Sequence, residues 1–383
     1  MTSDRAGRKI RVLHVVAMQV RWLCFEWLCE ELDRERFELS FLLVTAGEPA
    51  LAAFLGERGI PFRHLRYRGM RSLPAIIAAV ARHCRRHRID VVHTHFFPGC
   101  MAGLIGALLA GVPVRVYTRH SVANHGFFPR RVAYDRLFNA LATAIVAPDR
   151  MVQTVLVEWE KVAPAKVRVI HHGFDLERFR RPPAAAVQAL AAKYGIAGAW
   201  PVVGVVARYV EHKGVHYIVP AFAEVRRRYP GAKLVLANAR GDYSPIAAQL
   251  AALPPGSYVE IPFEDEIAAL YPLFDVFVHT PVDPWAEGFG QVYVEALAAG
   301  VPSLVTPSGV AGELLEHGRN AWVVGFRSSP EILAGLLHLL AEPELRAALG
   351  SAGQASVAPA FALAPMMRSL EALYGSLCEA AGP

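Results

Sequence analysis

Apolar runs and amphipathic stretches alternate along the first half of the chain. "IRVLHVVA" carries almost no polar residue, which is typical of a strand covered on both faces of its sheet. "FEWLCEELDR" follows it with the spacing of an amphipathic helix. Because strands that alternate with helices pair in parallel, this half is predicted to form a doubly wound parallel sheet. Further strands are predicted at "FELSFLLVT", "IPFRHLRY", "IDVVHTH", "VPVRVYTRH" and "TAIVAPD", and further helices at "PALAAFLGERG", "LPAIIAAVARHCRRHR", "GCMAGLIGALLAG" and "RVAYDRLFNALA".

A second alternating set follows Pro182 and Pro183, which with the Ala-rich tract behind them predict a linker near residues 176–185. We therefore predict two similar α/β domains, residues 1–177 and 178–357, and a C-terminal amphipathic helix within residues 358–383. The strands of the second set are predicted at "WPVVGVVARY", "KLVLANA", "SYVEIPF", "VFVHTP" and "VPSLVTP", and its helices at "HYIVPAFAEVRRRYP", "FGQVYVEALAAG" and "SPEILAGLLHLLAEPELRAALG".

The composition favours a folded two-domain protein. The chain has 383 residues, of which 54% are apolar and 19% charged. Its net charge of +6 suits anionic small molecules or an anionic membrane surface, and without an RNA motif or recognition helix no nucleic acid partner is expected. The five cysteines are scattered and form no C-x-x-C motif, so neither a zinc site nor a disulfide framework is predicted. With no signal-peptide pattern, we expect a cytoplasmic protein.

The stretch from Phe96 to Val114 is uncharged over 19 residues, close to the length of a membrane span. Pro98 and Pro113 bracket it, and four glycines interrupt it. A buried helix of about 12 residues between two turns fits this pattern better, and a true span is the alternative.

The stretch "EGFGQVYVEALAAGVP" at 287–302 places one carboxylate before a glycine turn and another in the helix predicted after it. In parallel sheets, ligands bind beyond the carboxyl ends of the strands, where a helix N-terminus attracts anions. Carboxylates accept hydrogen bonds from vicinal hydroxyls, so Glu287 and Glu295 could grip sugars on either side of a diphosphate. The alternative is a surface glutamate and a capping glutamate around an ordinary turn.

Arg208 and Lys213 lie in the predicted loop after the strand "VVGVVA". Arginine forks two oxygens and lysine acts as a point charge, so this pair could bind an anion beside the strand end. The alternative is a pair of solvated loop charges.

These segments together resemble the retaining GT-B glycosyltransferases of family 4, whose pattern E-G-F-G-x-x-x-x-E-A-x-A-x-G-x-P is complete here. The resemblance covers nearly the whole chain and includes the Arg208/Lys213 pair. Further matching segments are "VVHTH" at 91–95, "GVPVRVYTRH" at 111–120, "VIHHGFD" at 169–175 and "IPFEDEIAALYPLFDVFVHTP" before the glutamate loop.

The resemblance implies two Rossmann-like doubly wound domains that face each other across a cleft. Residues 1–177 would bind the acceptor and residues 178–357 the nucleotide-sugar donor, with residues 358–383 crossing back to the N-terminal domain. It also implies transfer with retention of anomeric configuration and without a metal, and no D-x-D pair argues otherwise. No cofactor beyond the nucleoside-diphosphate sugar itself is expected.

Carried over residue by residue, the resemblance assigns a role to each motif. Glu287 contacts hydroxyls of the donor sugar, and Glu295 binds the ribose. Arg208 and Lys213 neutralise the leaving diphosphate, and His120 faces the transferred sugar, so these two cations, Glu287 and His120 form the implied catalytic set. The residues implied to bind the donor are Glu287, Gly288, Phe289, Gly290, Gln291, Glu295, Arg208 and Lys213.

The acceptor side departs from the family pattern. The first loop reads "AMQVRWLCFEW", without the usual Gly-Gly pair, so Gln19 and Arg21 become candidate contacts through their side chains. In "RHSVANHGFFPRR", cations and aromatics surround His120, and Arg119 and His125 are candidate acceptor contacts. His93 and His95 alternate at a strand end and are read as acceptor contacts, metal ligands or buried hydrogen-bonded histidines, with His95 taken as the acceptor candidate.

The predicted function is transfer of a hexose-type sugar to a hydroxyl of a glycan, a lipid-linked or a small-molecule acceptor, in polysaccharide or glycoconjugate biosynthesis. The basic run "RHCRRHR" at 82–88 is either a solvated helix end or a peripheral contact with the inner face of an anionic membrane. One rival function is a nucleotide-sugar epimerase or a phosphorylase of the same fold. The other is a non-catalytic protein that binds nucleotide sugars.

Overall fold

The computed structural model describes residues 8–122 and 124–382. The chain divides into two compact units. The first unit runs to Phe174 and resumes at Leu363, and the second unit is Asp175–Ala362. The assignment of acceptor and donor to these units stays a prediction.

The first unit is built on seven described parallel strands in the order β3-β2-β1-β4-β5-β6-β7. The order reverses direction after β1, as in a doubly wound sheet, so the predicted parallel topology is confirmed here. The strands are β1 (Ile10–Val16), β2 (Phe37–Thr45), β3 (Phe62–Arg66), β4 (Val91–His95), β5 (Val114–Thr118), β6 (Ala144–Ala147) and β7 (Val167–Val169). The α-helices are α1 (Leu23–Glu31), α2 (Leu51–Glu57), α3 (Leu73–His87), α4 (Gly99–Ala110), α5 (Asn124–Phe127), α6 (Val132–Leu141) and α7 (Arg150–Thr154).

The second unit repeats the architecture with six described parallel strands in the order β10-β9-β8-β11-β12-β13. The strands are β8 (Val202–Val206), β9 (Lys233–Ala237), β10 (Tyr258–Ile261), β11 (Val276–His279), β12 (Ser303–Val305) and β13 (Trp322–Val323). The helices are α8 (Leu176–Arg180), α9 (Ala184–Lys193), α10 (Val215–Arg228), α11 (Ser244–Ala251), α12 (Ile267–Leu270), α13 (Gln291–Ala298), α14 (Ala311–Leu314), α15 (Ser329–Ala341) and α16 (Pro343–Phe361).

The last helix, α17 (Leu363–Ala380), belongs to the first unit. It begins five residues after the predicted boundary at 358, which falls inside α16. Its apolar face buries Met366, Leu370 and Tyr374 in the same cluster as Val12 of β1 and Phe25 of α1. One face of the first sheet is therefore closed by α1 and α17 together.

The helix predicted from Ser329 and the uncharged stretch near Phe96 are both helical in the structure, with different bounds. The single helix predicted from Ser329 is in fact α15 and α16, because Glu342 precedes Pro343 and a residue before proline is pushed out of the helical region. The uncharged stretch forms the 12-residue α4, which starts after Pro98 and ends at Gly111. Among the described residues, no helix combines the length and apolar character that crossing a membrane requires.

Candidate active site

Glu287 of the second unit lies in the loop that joins β11 to α13, and only 6% of the residue is exposed. The Lys213 ammonium donates to both of its carboxylate oxygens at 2.6 Å. Nε2 of His279, the last residue of β11, lies 2.8 Å from Oε1 of Glu287. The backbone N–H of Glu287 donates to the Ser308 hydroxyl at 3.0 Å. Three contacts therefore fix the buried carboxylate, and the fourth fixes the backbone of the same residue.

Burial alone would raise the pKa of Glu287, but Lys213 and His279 outweigh it and hold that pKa well below its usual range. Burial lowers the pKa of His279, against the opposing pull of Glu287, so the imidazole is neutral at neutral pH. A neutral imidazole facing a carboxylate donates, so Nε2 carries the proton. The site holds an ionised carboxylate beside a cation and a neutral donor.

Two glycines allow these loops to approach each other. Gly214 follows Lys213 with φ +71°, and a Cβ there would lie 1.9 Å from the backbone oxygen of Thr280. Gly290 has φ +84°, and a Cβ there would lie 2.6 Å from the ring of Tyr293. A side chain at either position would separate the lysine loop from β11 or disturb the start of α13.

Arg208 is exposed, and its guanidinium forms no hydrogen bond or ion pair within the described part of the chain. It lies near enough to His212 to contribute, after burial and Lys213, to the lowered pKa of that histidine. The second unit thus contains Lys213, which is ion-paired with Glu287, and Arg208, which has no ion pair among the described residues.

Glu295 lies in the second turn of α13, in a different environment. The hydroxyl of buried Tyr271 donates to its Oε2 at 2.7 Å. Burial raises the pKa of Glu295 to about 7, and the tyrosine only partly opposes that rise. No cation contacts this carboxylate within the described residues. Gly288, Phe289 and Gln291 lie between the two glutamates, with Phe289 buried.

The first unit contains a pocket lined almost entirely by apolar and aromatic side chains and by neutral histidines. His95 and His120 lie on its wall, so the structure brings together these two predicted residues. His93, considered together with His95, lines the same pocket, as do His14 and His172, which were not predicted site residues. The other lining residues are Trp22, Cys24, Phe25, Leu28, Thr118, Val146, Ile170, Met366 and Leu370.

The side chains of His14, His93 and His95 offer nitrogens that all lie within 4.8 Å of one another, so they could hold a metal ion. Both ring nitrogens of His93 are already hydrogen-bonded, Nδ1 to the Tyr374 hydroxyl at 2.7 Å and Nε2 to the Thr118 hydroxyl at 2.6 Å. A metal would have to displace one of these bonds. The present geometry is better described as a hydrogen-bonded histidine cluster.

The other predicted acceptor residues are not gathered at this pocket. Arg119 was expected to contact the acceptor, but its side chain is only 1% exposed and its guanidinium contacts Asp135 at 2.7 Å and Glu160 at 2.9 Å. His125 lies 2.7 Å from the same oxygen of Glu160. Arg119 therefore holds loops together inside the unit and offers no free surface to an acceptor. Ala123 of this stretch lies outside the described residues.

In the loop after β1, the side chains of Gln19 and Arg21 also contact other residues of the first unit. Arg21 forms a two-point ion pair with Glu26, at 2.6 and 2.8 Å, and Gln19 packs against Gly47. The roles of these two residues toward an acceptor stay predictions.

His279 and His14 escaped the sequence analysis. Both lie in apolar strands, where an isolated histidine resembles a core residue. The rule that ligands gather beyond the carboxyl ends of strands could have singled out His279, because it ends β11 directly before the glutamate loop.

Solved structures share this architecture. The crystal structure of Anabaena Alr3699/HepE in complex with UDP and glucose superposes with a TM-score of 0.83 at 22% identity, covering 96% of this chain and 100% of that chain. The protein thus has the GT-B fold of two Rossmann-like units, and the predicted fold class is confirmed.

Two family models match, one in each half of the chain. Glycosyltransferase Family 4 matches residues 26–178, and Glycosyl transferases group 1 matches residues 187–356. Together they cover most of the chain. The protein therefore belongs to the group 1, family 4 glycosyltransferases, as its motifs predicted.

Relatives of the chain include the GDP-mannose-dependent alpha-(1-6)-phosphatidylinositol monomannoside mannosyltransferase of Mycobacterium tuberculosis. It is 34% identical over 199 residues, which is 50% of this chain and 51% of that protein. The match thus spans about half the length of this relative. The alpha-monoglucosyldiacylglycerol synthase of Acholeplasma laidlawii is 27% identical over 326 residues, 80% of each chain.

Proposed function

We propose that this protein is a retaining glycosyltransferase that moves a hexose-type sugar from a nucleoside-diphosphate sugar to a hydroxyl group. The observation that carries the proposal is the contact of Lys213 with both oxygens of Glu287 at 2.6 Å, beside exposed Arg208. A carboxylate, two cations and a helix start at the ends of two neighbouring strands suit a ligand that joins hydroxyls to a diphosphate.

The chemistry assigns a task to each group. The leaving nucleoside diphosphate gains negative charge as the glycosidic bond breaks, and Lys213 and Arg208 stabilise that charge where it develops. The backbone N–H groups at the start of α13 add to that stabilisation. Glu287 exchanges its contact with Lys213 for hydroxyls of the sugar, while His279 keeps its carboxylate oriented. Glu295 accepts hydrogen bonds from the ribose.

The second unit is proposed to hold the donor and the first unit the acceptor. The donor assignment is supported by Lys213 and exposed Arg208, which follow a strand of the second unit and could face a diphosphate. Two relatives are named for a phosphatidylinositol monomannoside and for a monoglucosyldiacylglycerol. A lipid-linked acceptor is therefore the favoured class, with glycan and small-molecule acceptors as the other two.

A lipid acceptor requires access to a membrane surface, and one patch of the first unit suits it. Leu108 and Leu109 at the end of α4 are 47% and 57% exposed. The Arg85 guanidinium donates to the backbone oxygen of Leu109, and Arg86 and Arg88 are exposed nearby in sequence. Apolar side chains beside arginines favour peripheral attachment to an anionic leaflet, such as the inner face of a cytoplasmic membrane.

The test begins with thermal unfolding against a panel of UDP-, GDP- and ADP-sugars. Ligands that bind only the folded state raise its melting temperature by mass action, so the true donor should give the largest shift. That donor is then incubated with diacylglycerol-based, phosphoinositide-based and free-sugar acceptors, and the anomeric configuration of the product is determined by NMR. Stabilisation and transfer by wild type, with transfer lost in Glu287→Ala, are expected.

The same experiment separates the rivals. Conversion of the donor to its epimer without any acceptor would show the epimerase instead. A binding protein would be shown if the donor raised the melting temperature equally in wild type and Glu287→Ala and no acceptor received sugar.

A further inference from the structure

His14, His95 and His120 form a row of hydrogen-bonded rings in the first unit. His14 lies in β1 and His95 ends β4, the neighbouring parallel strand, with His95 in register with Val16. Nδ1 of His14 lies 3.2 Å from Nε2 of His95, and Nδ1 of His95 lies 3.0 Å from Nε2 of His120. Each link therefore joins the Nδ1 of one ring to the Nε2 of the next.

The three rings are neutral at neutral pH. Burial lowers the pKa of His14 to about 3. Burial and neighbouring histidines also lower the pKa values of His95 and His120 far below the ordinary range. A neutral imidazole has one N–H and one lone pair, so the row can run in only two directions. Either every ring is protonated on Nδ1, or every ring is protonated on Nε2.

The far end of the row decides the direction. Nε2 of His14 is fully buried and has no hydrogen-bond partner among the described residues. Protonation on Nε2 would leave a buried N–H with no acceptor, next to the stacked ring of Phe41. Orphaned buried N–H groups are rare in folded proteins because a donor without an acceptor keeps its whole desolvation cost. Protonation on Nδ1 avoids this and satisfies both links.

His120, at the near end of the row, lines the pocket and is held by aromatic rings. The His120 ring is stacked on Phe96, with ring centroids 4.2 Å apart, and on His172, with centroids 5.7 Å apart. The Trp22 ring lies against its edge at a centroid distance of 5.1 Å. These rings fix its plane, and the bond from His95 fixes its rotation. Nδ1 of His120 makes no hydrogen bond within the described residues and is not among their fully buried polar atoms.

We propose that His14 and His95 are positioning residues that hold His120 with its proton on Nδ1, so that the pocket presents a neutral N–H donor. A ring in this state donates to a hydroxyl oxygen and does not remove a proton from it. The tautomer follows from the histidine row alone. The hydroxyl as ligand rests on the proposed function, with the sugar or its acceptor as the partner.

The first test needs no substrate. Protein labelled with ¹⁵N-histidine is studied at pH 7.5 by two-bond ¹⁵N–¹H correlation spectra, which distinguish the two neutral tautomers. Signals are assigned with His14→Phe, His95→Gln and His120→Asn. We expect Nδ1–H for all three rings in wild type. Nε2–H at His95 or His120 overturns the proposal, and so does a spectrum that EDTA changes, because metal ligation would then hold the rings.

His14→Phe tests the coupling along the row. Phenylalanine keeps the stacking on Phe41 but cannot donate, so His95 loses the bond that fixes its tautomer and His120 is expected to become a mixture. An unchanged His120 signal contradicts the proposal. His83→Phe is the matched control, because His83 also has a buried Nε2 without a partner but lies on α3, outside the row. Should His14→Phe not fold, the wild-type spectrum still decides.

Kinetics provide the functional readout once a donor is known. Loss of one oriented hydrogen bond is expected to lower kcat by roughly tenfold in His14→Phe while KM for the nucleotide sugar stays within about twofold. His83→Phe should match wild type. If neither wild type nor any variant transfers sugar, the proposed function fails and the tautomer result stands. If transfer proceeds with Nε2–H at His120, only this inference fails.

Discussion

The two units end their central strands in opposite electrostatic environments. In the second unit, β11 leads to an ionised Glu287 that is bound by Lys213, and exposed Arg208 follows β8. In the first unit, β1, β4 and β5 lead to uncharged imidazoles packed among aromatic rings. Both are parallel sheets with the same topology near the switch point, so the fold does not set the difference. A few side chains at the strand ends set it.

This difference matches what each unit is proposed to bind. A diphosphate carries charge that grows during bond cleavage, so fixed cations stabilise it. An acceptor hydroxyl is neutral, and neutral donors and acceptors recognise it without the cost of burying a charge. The first unit keeps its own ionic cluster, Arg119 with Asp135 and Glu160, away from the pocket wall.

The largest effect is expected from Lys213→Ala. The change removes the cation of the proposed donor site and leaves Glu287 buried without its charge partner, so we expect sugar transfer to fall by about 10²–10³-fold. Initial rates at saturating donor would measure it. Arg319→Ala is the control, because it breaks an ion pair with Glu316 in the same unit whose side chains are both exposed. Transfer within threefold of wild type would mean that the ionic cluster is not the donor site.

Arg119→Ala should separate a structural ion cluster from a catalytic one. Removing the arginine leaves two buried carboxylates facing each other, so the free energy of unfolding is expected to fall by about 3–5 kcal/mol. Urea unfolding would measure it, with Arg227→Ala in an exposed pair as the control. A variant of nearly normal stability with a much raised KM for the acceptor would restore the direct contact that the sequence predicted.

Local pattern sufficed for the fold and for part of the site. The strands were predictable because buried parallel strands are apolar throughout, and Glu287 and Lys213 because both stand in loops after strands. The burial of Arg119 was not foreseen because its partners Asp135 and Glu160 lie 16 and 41 residues further along the chain. His14 was missed because only strand register brings it to His95. Contacts between distant segments leave no local pattern in a single sequence.

His279 tests whether the donor site depends on a neutral partner as well as on a cation. His279→Phe keeps the ring but removes the hydrogen bond from Nε2 to Glu287. Hydrogen bonds to charged groups contribute about 1.5–3 kcal/mol, so kcat should fall by roughly 10- to 100-fold. His279→Gln, which retains a donor, should recover part of the loss. If both variants matched wild type, Lys213 alone would orient the carboxylate.

The smallest effect should come from Glu295, the one carboxylate of the site without a cation. Its pKa of about 7 in the folded protein lies above its usual value, so the folded state holds this proton more tightly than the unfolded chain. Its contribution to stability is complete below about pH 4.5 and is lost as pH rises through about 7. Glu295→Gln cannot lose that proton, so the variant should gain on wild type by a few degrees in melting temperature between pH 5 and pH 8.

The comparison of melting curves across that range isolates the residue, since the other ionisable groups are shared by both proteins. Glu371→Gln is a suitable control, because Glu371 accepts a backbone N–H from Asp33 in the first unit and lies far from α13 in sequence. If the melting temperatures of wild type and Glu295→Gln differ by the same amount at every pH from 5 to 8, Glu295 titrates normally. The second unit would then hold two ionised carboxylates at neutral pH, and its contrast with the uncharged pocket of the first unit would be greater still.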